Sequence, residues 1–197
     1  MKVYRNNQKP DFPVHLNLLK AQPVSNYDIT RLTEKTSSIT INTNKGLAEL
    51  DTGFFFAYEI FPSHIMSFLT QWSYEQRQMN IGDTIVQQAF IPPVGFLSQK
   101  IIVGVRIKEI IHEPNKMGFS YETIRGHVEK GLSTFTIEKS ADKTIFRIHT
   151  FSKPGALLSK LAAPFFSIPY QSYCTRQALK YVKQQLENHS LTVKANE

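Results

Sequence analysis

A series of β-like segments between residues 84 and 152, with no helical pattern between them, restricts the fold of this chain more than any other feature. In the longest segment alternate residues are apolar, while Arg106 and Lys108 fall on the opposite face, which is typical of a half-buried antiparallel strand. A helical pattern over residues 171–187 follows. Consecutive strands at hairpin spacing before a terminal helix predict an α+β fold and not a doubly wound α/β sheet. The segments are 84–91, 100–111, 118–124, 132–138 and 144–152.

A curved antiparallel sheet that grips a long C-terminal helix satisfies this order of elements. The arrangement, known as the helix-grip fold, leaves a cavity between sheet and helix, and the apolar faces of the strands would line it. In the last strand Phe146, Ile148, Thr150 and Ser152 share one face, because alternate residues of a strand point the same way. We therefore expect Phe135, Phe146 and Ile148 in the wall of the cavity.

The first part of the chain gives weaker patterns. Residues 1–36 are polar and contain Pro10, Pro13 and Pro23, so we expect an extended N-terminal arm there. A single α+β domain is expected to follow over residues 37–190.

Two further elements are predicted before the series of strands. Residues 39–41 and the aromatic run 53–61 are β-like. A helix is predicted to open at Pro62-Ser63 and to end before Asn80, because apolar residues recur there at helical spacing. We expect Trp72 on its buried face. The recurring residues are Ile65, Phe68, Leu69 and Trp72.

Composition restricts the class of protein. The 197 residues suit one domain, and hydrophobic and charged fractions of 41% and 20% are typical of a folded soluble protein. A single cysteine, Cys174, excludes an internal disulfide and fits a reducing compartment. The N-terminus lacks the apolar segment of a signal peptide, and no apolar run approaches the roughly 20 residues that span a bilayer. We therefore expect a cytoplasmic protein.

The charge and the motifs narrow the possible partners. A net charge of +7 is compatible with binding to nucleic acid or to an anionic membrane, but the basic residues are scattered, so we expect a solvated basic surface and no nucleic-acid partner. Phosphate-binding loops, dinucleotide fingerprints, zinc-protease motifs and nucleophile elbows are all missing. The six histidines do not pair at metal-ligand spacing, so we expect neither a metal nor a cofactor.

The stretch SYETIRGHVEKG, residues 120–131, interrupts the strand pattern with two glycines around a histidine. Glycine supplies backbone angles that other residues resist. His127 lies between Arg125 and Glu129, which can orient or charge an imidazole near neutral pH. Two interpretations stay open. His127 acts as a general acid/base or as a polar donor to a ligand at the mouth of a cavity, or it hydrogen-bonds the hairpin and holds its shape.

The same stretch carries a family resemblance. Residues 121–131, YETIRGHVEKG, resemble the motif Y-G-T-L-P-G-H-P-E-x-G-E-E of an uncharacterised family of bacterial and plant proteins, domain-of-unknown-function family number nineteen-ninety. Residues 146–154, FRIHTFSKP, resemble its segment F-E-I-x-A-F-S-R-P, and Trp72 with residues 81–86, IGDTIV, fits its W…V-G-D-x-V segment. The similarity covers roughly residues 50–187. Further positions that match in order and spacing are Leu161, Pro164 and Gln171.

The resemblance implies a family without an assigned activity, related in fold to the START and polyketide-cyclase-like helix-grip proteins. The chain departs from the motif at Glu122, where the family has glycine, at Arg125, where it has proline, and at Leu132-Ser133, where it has an acidic pair. The motif positions that it keeps are Tyr121, Thr123, Gly126, His127, Glu129, Gly131, Ser152 and Pro154.

Three functions are compatible with these patterns, and the first is favoured. The first is a protein that binds a small hydrophobic or amphipathic molecule, or a lipid, in the cavity. The second is an enzyme that acts on such a ligand, with His127 as acid/base and Glu129 as its orienting partner. The third is a membrane-surface or partner-binding module, which would use the apolar residues Leu157, Leu158, Leu161, Phe165, Phe166 and Ile168; core packing is the alternative for that segment. For the first function, the candidate binding residues are Tyr121, Thr123, His127, Glu129, Phe135, Phe146, Ile148 and Ser152.

Overall fold

A computed structural model of the chain describes residues 2–91, 98–154 and 164–192. Within these ranges it has eight strands: β1 (Lys2–Tyr4), β2 (Thr33–Ile41), β3 (Met66–Thr70), β4 (Thr84–Ile91), β5 (Gln99–Glu113), β6 (Lys116–Thr123), β7 (Glu129–Ser140) and β8 (Lys143–Pro154). The α-helices in the same ranges are α1 (Phe12–Lys20), α2 (Gly53–Phe56), α3 (Gln71–Tyr74) and α4 (Pro164–Thr192). Single 3₁₀ turns lie at Lys9–Asp11, Ile29–Arg31 and Leu47–Glu49.

The strands form one curved antiparallel sheet in the order β2-β8-β7-β6-β5-β4-β3, and β1 also pairs with β5. Strands β3 to β8 are therefore neighbours in chain order, while β2 adds to the free edge of β8. Together with α4 this confirms the predicted α+β class. Among the described helices, none is both long enough and apolar enough to cross a membrane.

The two faces of the sheet pack against different helices. On the inner face, apolar strand residues join Ala178, Val182 and Leu186 of α4 in the larger hydrophobic core. On the outer face, Phe12 and Leu16 of α1 cover part of the sheet. Because alternate residues of a strand point to opposite faces, one strand contributes to both cores. The larger core also takes in Phe55, Tyr58 and Ile60, which are fully buried and pack on the inner face.

The structure corrects the expectation of an extended arm over residues 1–36. This segment contains β1, which pairs with β5, and the buried residues of α1. The boundary expected at residue 37 falls inside β2, whose residues 33–41 all pair with β8. The helix forms because Phe12, Leu16 and Leu19 recur at helical spacing and bury against the outer face.

Two elements of the next segment were predicted with the wrong type. The aromatic run 53–61 begins as helix α2 and continues through turns, and residues 66–70 pair with β4 as a strand where a helix was expected. A short apolar run is compatible with the period of a helix and with that of a strand, so the pairing of residues 66–70 with β4 decides that they form a strand. Trp72 is nevertheless buried as expected. It lies in α3, and its indole nitrogen donates to the carbonyl oxygen of Phe56 at 3.1 Å.

Candidate functional site

The inner face of the sheet carries two adjacent rows of side chains, one apolar and one polar. The strand register sets residues of neighbouring strands side by side, and residues two positions further along lie on the same face in the next row. The apolar row consists of Phe119, Phe135 and Ile148. The polar row, which continues onto β2, consists of Tyr121, Ser133, Thr150 and Lys35.

The two rows differ in their exposure to solvent. Phe119, Phe135 and Ile148 are at most 4% exposed, and the rings of Phe119 and Phe135 stack with centroids 5.4 Å apart. Tyr121, Ser133 and Thr150 are half-buried, and Lys35 at the edge is exposed. The apolar row is therefore part of the core, while the polar row marks where that core meets accessible space.

Tyr121 belongs to a hydrogen-bonded network that enters the core. The side-chain amide of Gln87 donates to the hydroxyl oxygen of Tyr58 at 2.5 Å, and both side chains are buried. The rings of Tyr58 and Tyr121 contact each other with centroids 6.2 Å apart, and Ser133 is the register partner of Tyr121, so these hydroxyls are neighbours. Against the larger effect of burial, hydrogen bonding by Tyr58, Ser133 and Gln87 lowers the pKa of Tyr121. Burial raises the pKa of both tyrosines, so both are protonated at neutral pH.

Glu129 adds a carboxyl group beside the polar row. It lies at the start of β7 on the inner face, where Gln171 of α4 donates a hydrogen bond to its carboxylate and Ser152 of β8 forms another. Burial raises the pKa of Glu129, and these two hydrogen bonds and the charge of Lys35 oppose that shift. The charge of Glu129 in turn raises the pKa of Tyr121, so the two groups share one electrostatic environment.

His127 shapes the hairpin that delivers Glu129 to this position. The backbone nitrogen of His127 donates to the carbonyl of Ile124 at 3.0 Å, and Gly126 between them has φ of 90°, as the third residue of a type II turn requires. The ring Nδ1 then accepts from the backbone nitrogen of Glu129 at 3.0 Å. Burial lowers the pKa of His127 to about 4, so the ring is neutral at neutral pH. Nδ1 accepts from Glu129 in the tautomer with its proton on Nε2, and in the other tautomer it would donate to the Glu129 carbonyl oxygen, 3.2 Å away.

Thr123 secures the other side of the same hairpin. Its hydroxyl accepts from the backbone nitrogen of Gly131 at 3.1 Å. Gly131 has φ of 156°, and a Cβ there would lie 1.9 Å from the carbonyl oxygen of Phe151, so no larger residue fits. The N-terminal segment pairs with this hairpin as well, since Ser25 donates its backbone N–H to the carbonyl of Thr123 at 2.7 Å.

The eight predicted binding residues therefore fall into three groups. Tyr121, Glu129 and Ser152 come together at the polar row. Thr123 and His127 hold the hairpin backbone. The contact between His127 and Glu129 uses the backbone N–H of Glu129, while its carboxylate binds Gln171 and Ser152, so the expected acid/base pair is not formed by these two side chains. The residues of the third group belong to the buried core that α4 covers: Phe135, Phe146 and Ile148.

Several groups of the site were missing from the sequence prediction. Ser133 carried a signal, since it alternates with Phe135 and Ile137 on the buried face of its strand. Tyr58 and Gln87 carried none, because their contact with Tyr121 is formed between distant segments. The only signal at Gln171 is its match to the family in order and spacing.

The described residues bear only in part on two other predictions, the apolar surface segment and the absence of a metal site. Leu157, Leu158 and Leu161 of the apolar segment lie outside the described residues, and of Phe165, Phe166 and Ile168 the structure describes only the backbone, within α4. In the parts of the chain whose side chains are described, no three His, Cys, Asp or Glu residues group together in a way that would hold a metal ion.

Solved structures share this fold at low sequence identity. A hypothetical protein from Helicobacter pylori is 12% identical with a TM-score of 0.50, over 80% of this chain and 88% of that chain. The di-domain ARO/CYC StfQ from the steffimycin biosynthetic pathway is 8% identical with a TM-score of 0.53, over 81% of this chain and 52% of that chain. Identities this low show the fold alone.

Sequence comparison identifies the family. A UPF0548 protein of Deinococcus radiodurans is 33% identical over 60 residues, a match that spans 30% of this chain and 30% of that relative. The family model described as Domain of unknown function (DUF1990) matches residues 54–181. This range contains Tyr58, Gln87, Tyr121, Glu129 and Gln171, and with them every described element from β3 to β8. The chain therefore belongs to the DUF1990 family.

Proposed function

We propose that this protein binds a small amphipathic molecule between the inner face of the sheet and α4, with the polar end of the molecule on the polar row. The observation that carries the proposal is the polar row itself. The core-facing side of an antiparallel sheet is ordinarily apolar, and polar groups turned toward a core destabilise it unless they are hydrogen-bonded. A few convergent polar groups at the border of an apolar region are typical of small-molecule sites.

The arrangement of sheet and helix supports the same function. We infer that the curved sheet and α4 form a helix-grip fold of the START-like type, in which the space between sheet and helix holds the ligand. The likeness to the ARO/CYC StfQ supports the fold, and the polar groups of this chain, not the likeness, support the binding function.

The positions of the two rows indicate where the apolar part and the polar end of the ligand would lie. Half-buried Phe61 and Phe68 lie near Tyr58, with ring centroids 6.2 Å and 5.2 Å from it, and Phe61 also contacts Phe135. They supply apolar surface beside the network that ends at Tyr121. An amphipathic ligand would place its apolar part there and its polar end against Tyr121, Ser133 and Thr150.

Fluorescence titration with Nile red, an uncharged apolar dye, tests the proposal. Ser133→Leu places a bulky side chain in the polar row, and Thr134→Leu places the same side chain on the outer face one residue away, where it pairs with His149. We expect the unmodified protein to bind the dye and 1-dodecanol to displace it. Ser133→Leu should weaken binding about tenfold and Thr134→Leu less than about twofold, because only the first removes room for the ligand.

Two results would reject this function. One is a folded protein that does not bind the dye, and the other is an equal loss of binding in the two leucine variants. Native mass spectrometry of the protein purified from its own host would add the identity of any molecule that co-purifies.

A further inference from the structure

We propose that the polar end of the ligand is uncharged, a carbonyl or hydroxyl oxygen, and that Glu129 excludes carboxylates from the site. This inference rests on the proposed function and names the chemical class of the ligand. It follows from the direction of the hydrogen bonds that reach Tyr121 and from the charges around the polar row.

The first step is the direction of the network. Gln87 donates to the oxygen of Tyr58, so the hydroxyl proton of Tyr58 is available for the oxygen of Tyr121. Ser133, the register partner of Tyr121, lies beside the same oxygen and also lowers the pKa of Tyr121 as a hydrogen-bonding neighbour. A hydroxyl that accepts hydrogen bonds becomes a stronger donor, because chains of hydrogen bonds polarise one another. Tyr121, which is half-buried, therefore presents its proton to a ligand oxygen.

The second step is the charge beside that donor. An ionised carboxylate only accepts hydrogen bonds, and Gln171 donates one to Glu129 at the inner face. Burial raises the pKa of Glu129, while Gln171, Ser152 and the charge of Lys35 favour its ionised form, which is the form that would repel a carboxylate ligand. A second carboxylate at about 6 Å, with an effective dielectric constant of about 20, would bind roughly two orders of magnitude more weakly than a neutral group. A ketone or phenol accepts from Tyr121 without that repulsion.

The other charged groups near the polar row do not reverse the preference for an uncharged ligand over a carboxylate. Lys35 is the cation of the polar row, but it is exposed at the sheet edge and its amino group donates to Ser172 of α4 at 3.1 Å. Because Lys35 is exposed and Glu129 is half-buried, solvent screens the charge of Lys35 more than that of Glu129. The ring of His127 is neutral at neutral pH. Lys130 follows Glu129 directly in β7 and pairs with Lys153 of β8. Because successive residues of a strand point to opposite faces, both lysines lie on the outer face.

A pair of competitors of equal shape tests the inference. 2-Acetylnaphthalene is a neutral ketone and 2-naphthoate is its carboxylate counterpart, and each would displace Nile red at neutral pH from the unmodified protein and from Glu129→Gln. We expect the ketone to bind at least about tenfold more tightly than the carboxylate in the unmodified protein. In Glu129→Gln that ratio should fall below about threefold, because the amide removes the charge and keeps an oxygen for Gln171.

Tyr121→Phe tests the donor, and Thr134→Ala on the outer face is the control. Loss of the hydroxyl should weaken the ketone about fivefold, as expected for one hydrogen bond, while the control leaves both competitors within about twofold. Equal binding of the two competitors to the unmodified protein, or a ratio that Glu129→Gln does not change, would overturn the inference while Nile red binding still supported the proposed function. Absence of Nile red binding would overturn both.

Discussion

The apolar row and the polar row lie on the same strands, two residues apart, and differ in what surrounds them. Phe119, Phe135 and Ile148 are buried among aromatic residues of the 53–61 segment and within the core that α4 closes. Tyr121, Ser133 and Thr150 lie where that cover ends. One face of one sheet therefore contains a buried part within the core and a half-buried polar part at its border, and we expect mutations in the two rows to affect stability and binding differently.

The largest effect should come from the apolar row. Phe135→Ala removes a ring that is 1% exposed and contacts Phe119, Phe61 and Tyr121. We expect the free energy of unfolding to fall by about 3–5 kcal/mol, because the cavity left behind adds to the lost burial. Urea denaturation measures this change. A loss below about 1 kcal/mol would show that the row is not core, and the two rows would no longer differ.

The hairpin that supports the polar row should give a pH-dependent effect. The pKa of His127 is lowered from 6.5 to about 4, so between these values the unfolded chain binds a proton that the folded protein does not, and stability falls as the pH decreases. After a discount for partial exposure we expect a loss of about 1–2 kcal/mol across this window.

His127→Asn should flatten this pH dependence and keep the stability at neutral pH, because the amide oxygen can accept from the backbone nitrogen of Glu129 in place of Nδ1. His127→Ala lacks that acceptor and should lose about 1 kcal/mol at neutral pH as well. Melting curves of the three proteins between pH 4 and pH 7 measure both effects. An unchanged slope in His127→Asn would show that another group titrates there.

Glu129 should have the opposite pH dependence. Its pKa is raised above 4.5 by burial, so the folded protein holds this proton to higher pH than the unfolded chain does, and stability falls as the pH rises above 4.5. Glu129→Gln removes this contribution, and we expect it to be more stable than the unmodified protein at neutral pH. Glu113→Gln, at an exposed position of β5, is the matched control and should change stability little. A destabilised Glu129→Gln would mean that the charge supports the fold.

The smallest effects are expected from alanine substitutions on the inner and outer faces of β7. Ser133→Ala and Thr134→Ala remove hydroxyls from neighbouring residues that face opposite sides of the sheet, and each should change stability by less than about 1 kcal/mol. Only Ser133→Ala should weaken the binding of Nile red. Denaturation and titration of both variants sharpen the comparison of the rows, since a large loss of stability in Ser133→Ala would assign the polar row to the core.

The sequence predicted the elements in which local pattern and tertiary packing agree. In β5 residues 101, 103, 105 and 107 are buried on one face, and in β8 residues 144, 146 and 148 are, and runs of this length make the period of two unambiguous. The segment 66–70 is too short for its period to decide between helix and strand, and its pairing with β4 decides. The sequence does not predict the N-terminal helix, because its two buried residues, Phe12 and Leu16, lie within a polar, proline-containing segment.

By itself, then, the sequence determined the α+β class, the series of strands from β4 to β8 and the terminal helix, and it predicted Tyr121, Glu129 and Ser152 as site residues, which the fold brings close together. All of these depend on periodicity or on a local motif. Only the tertiary structure decided that Gln87 donates to Tyr58 beside Tyr121, that Gln171 donates to the Glu129 carboxylate, and that the ring Nδ1 of His127 accepts from the backbone nitrogen of Glu129. The physical reason is range: hydrogen bonds and electrostatic contacts act over a few ångströms in space, and the register and curvature of the sheet, not spacing along the chain, set which groups come within that distance.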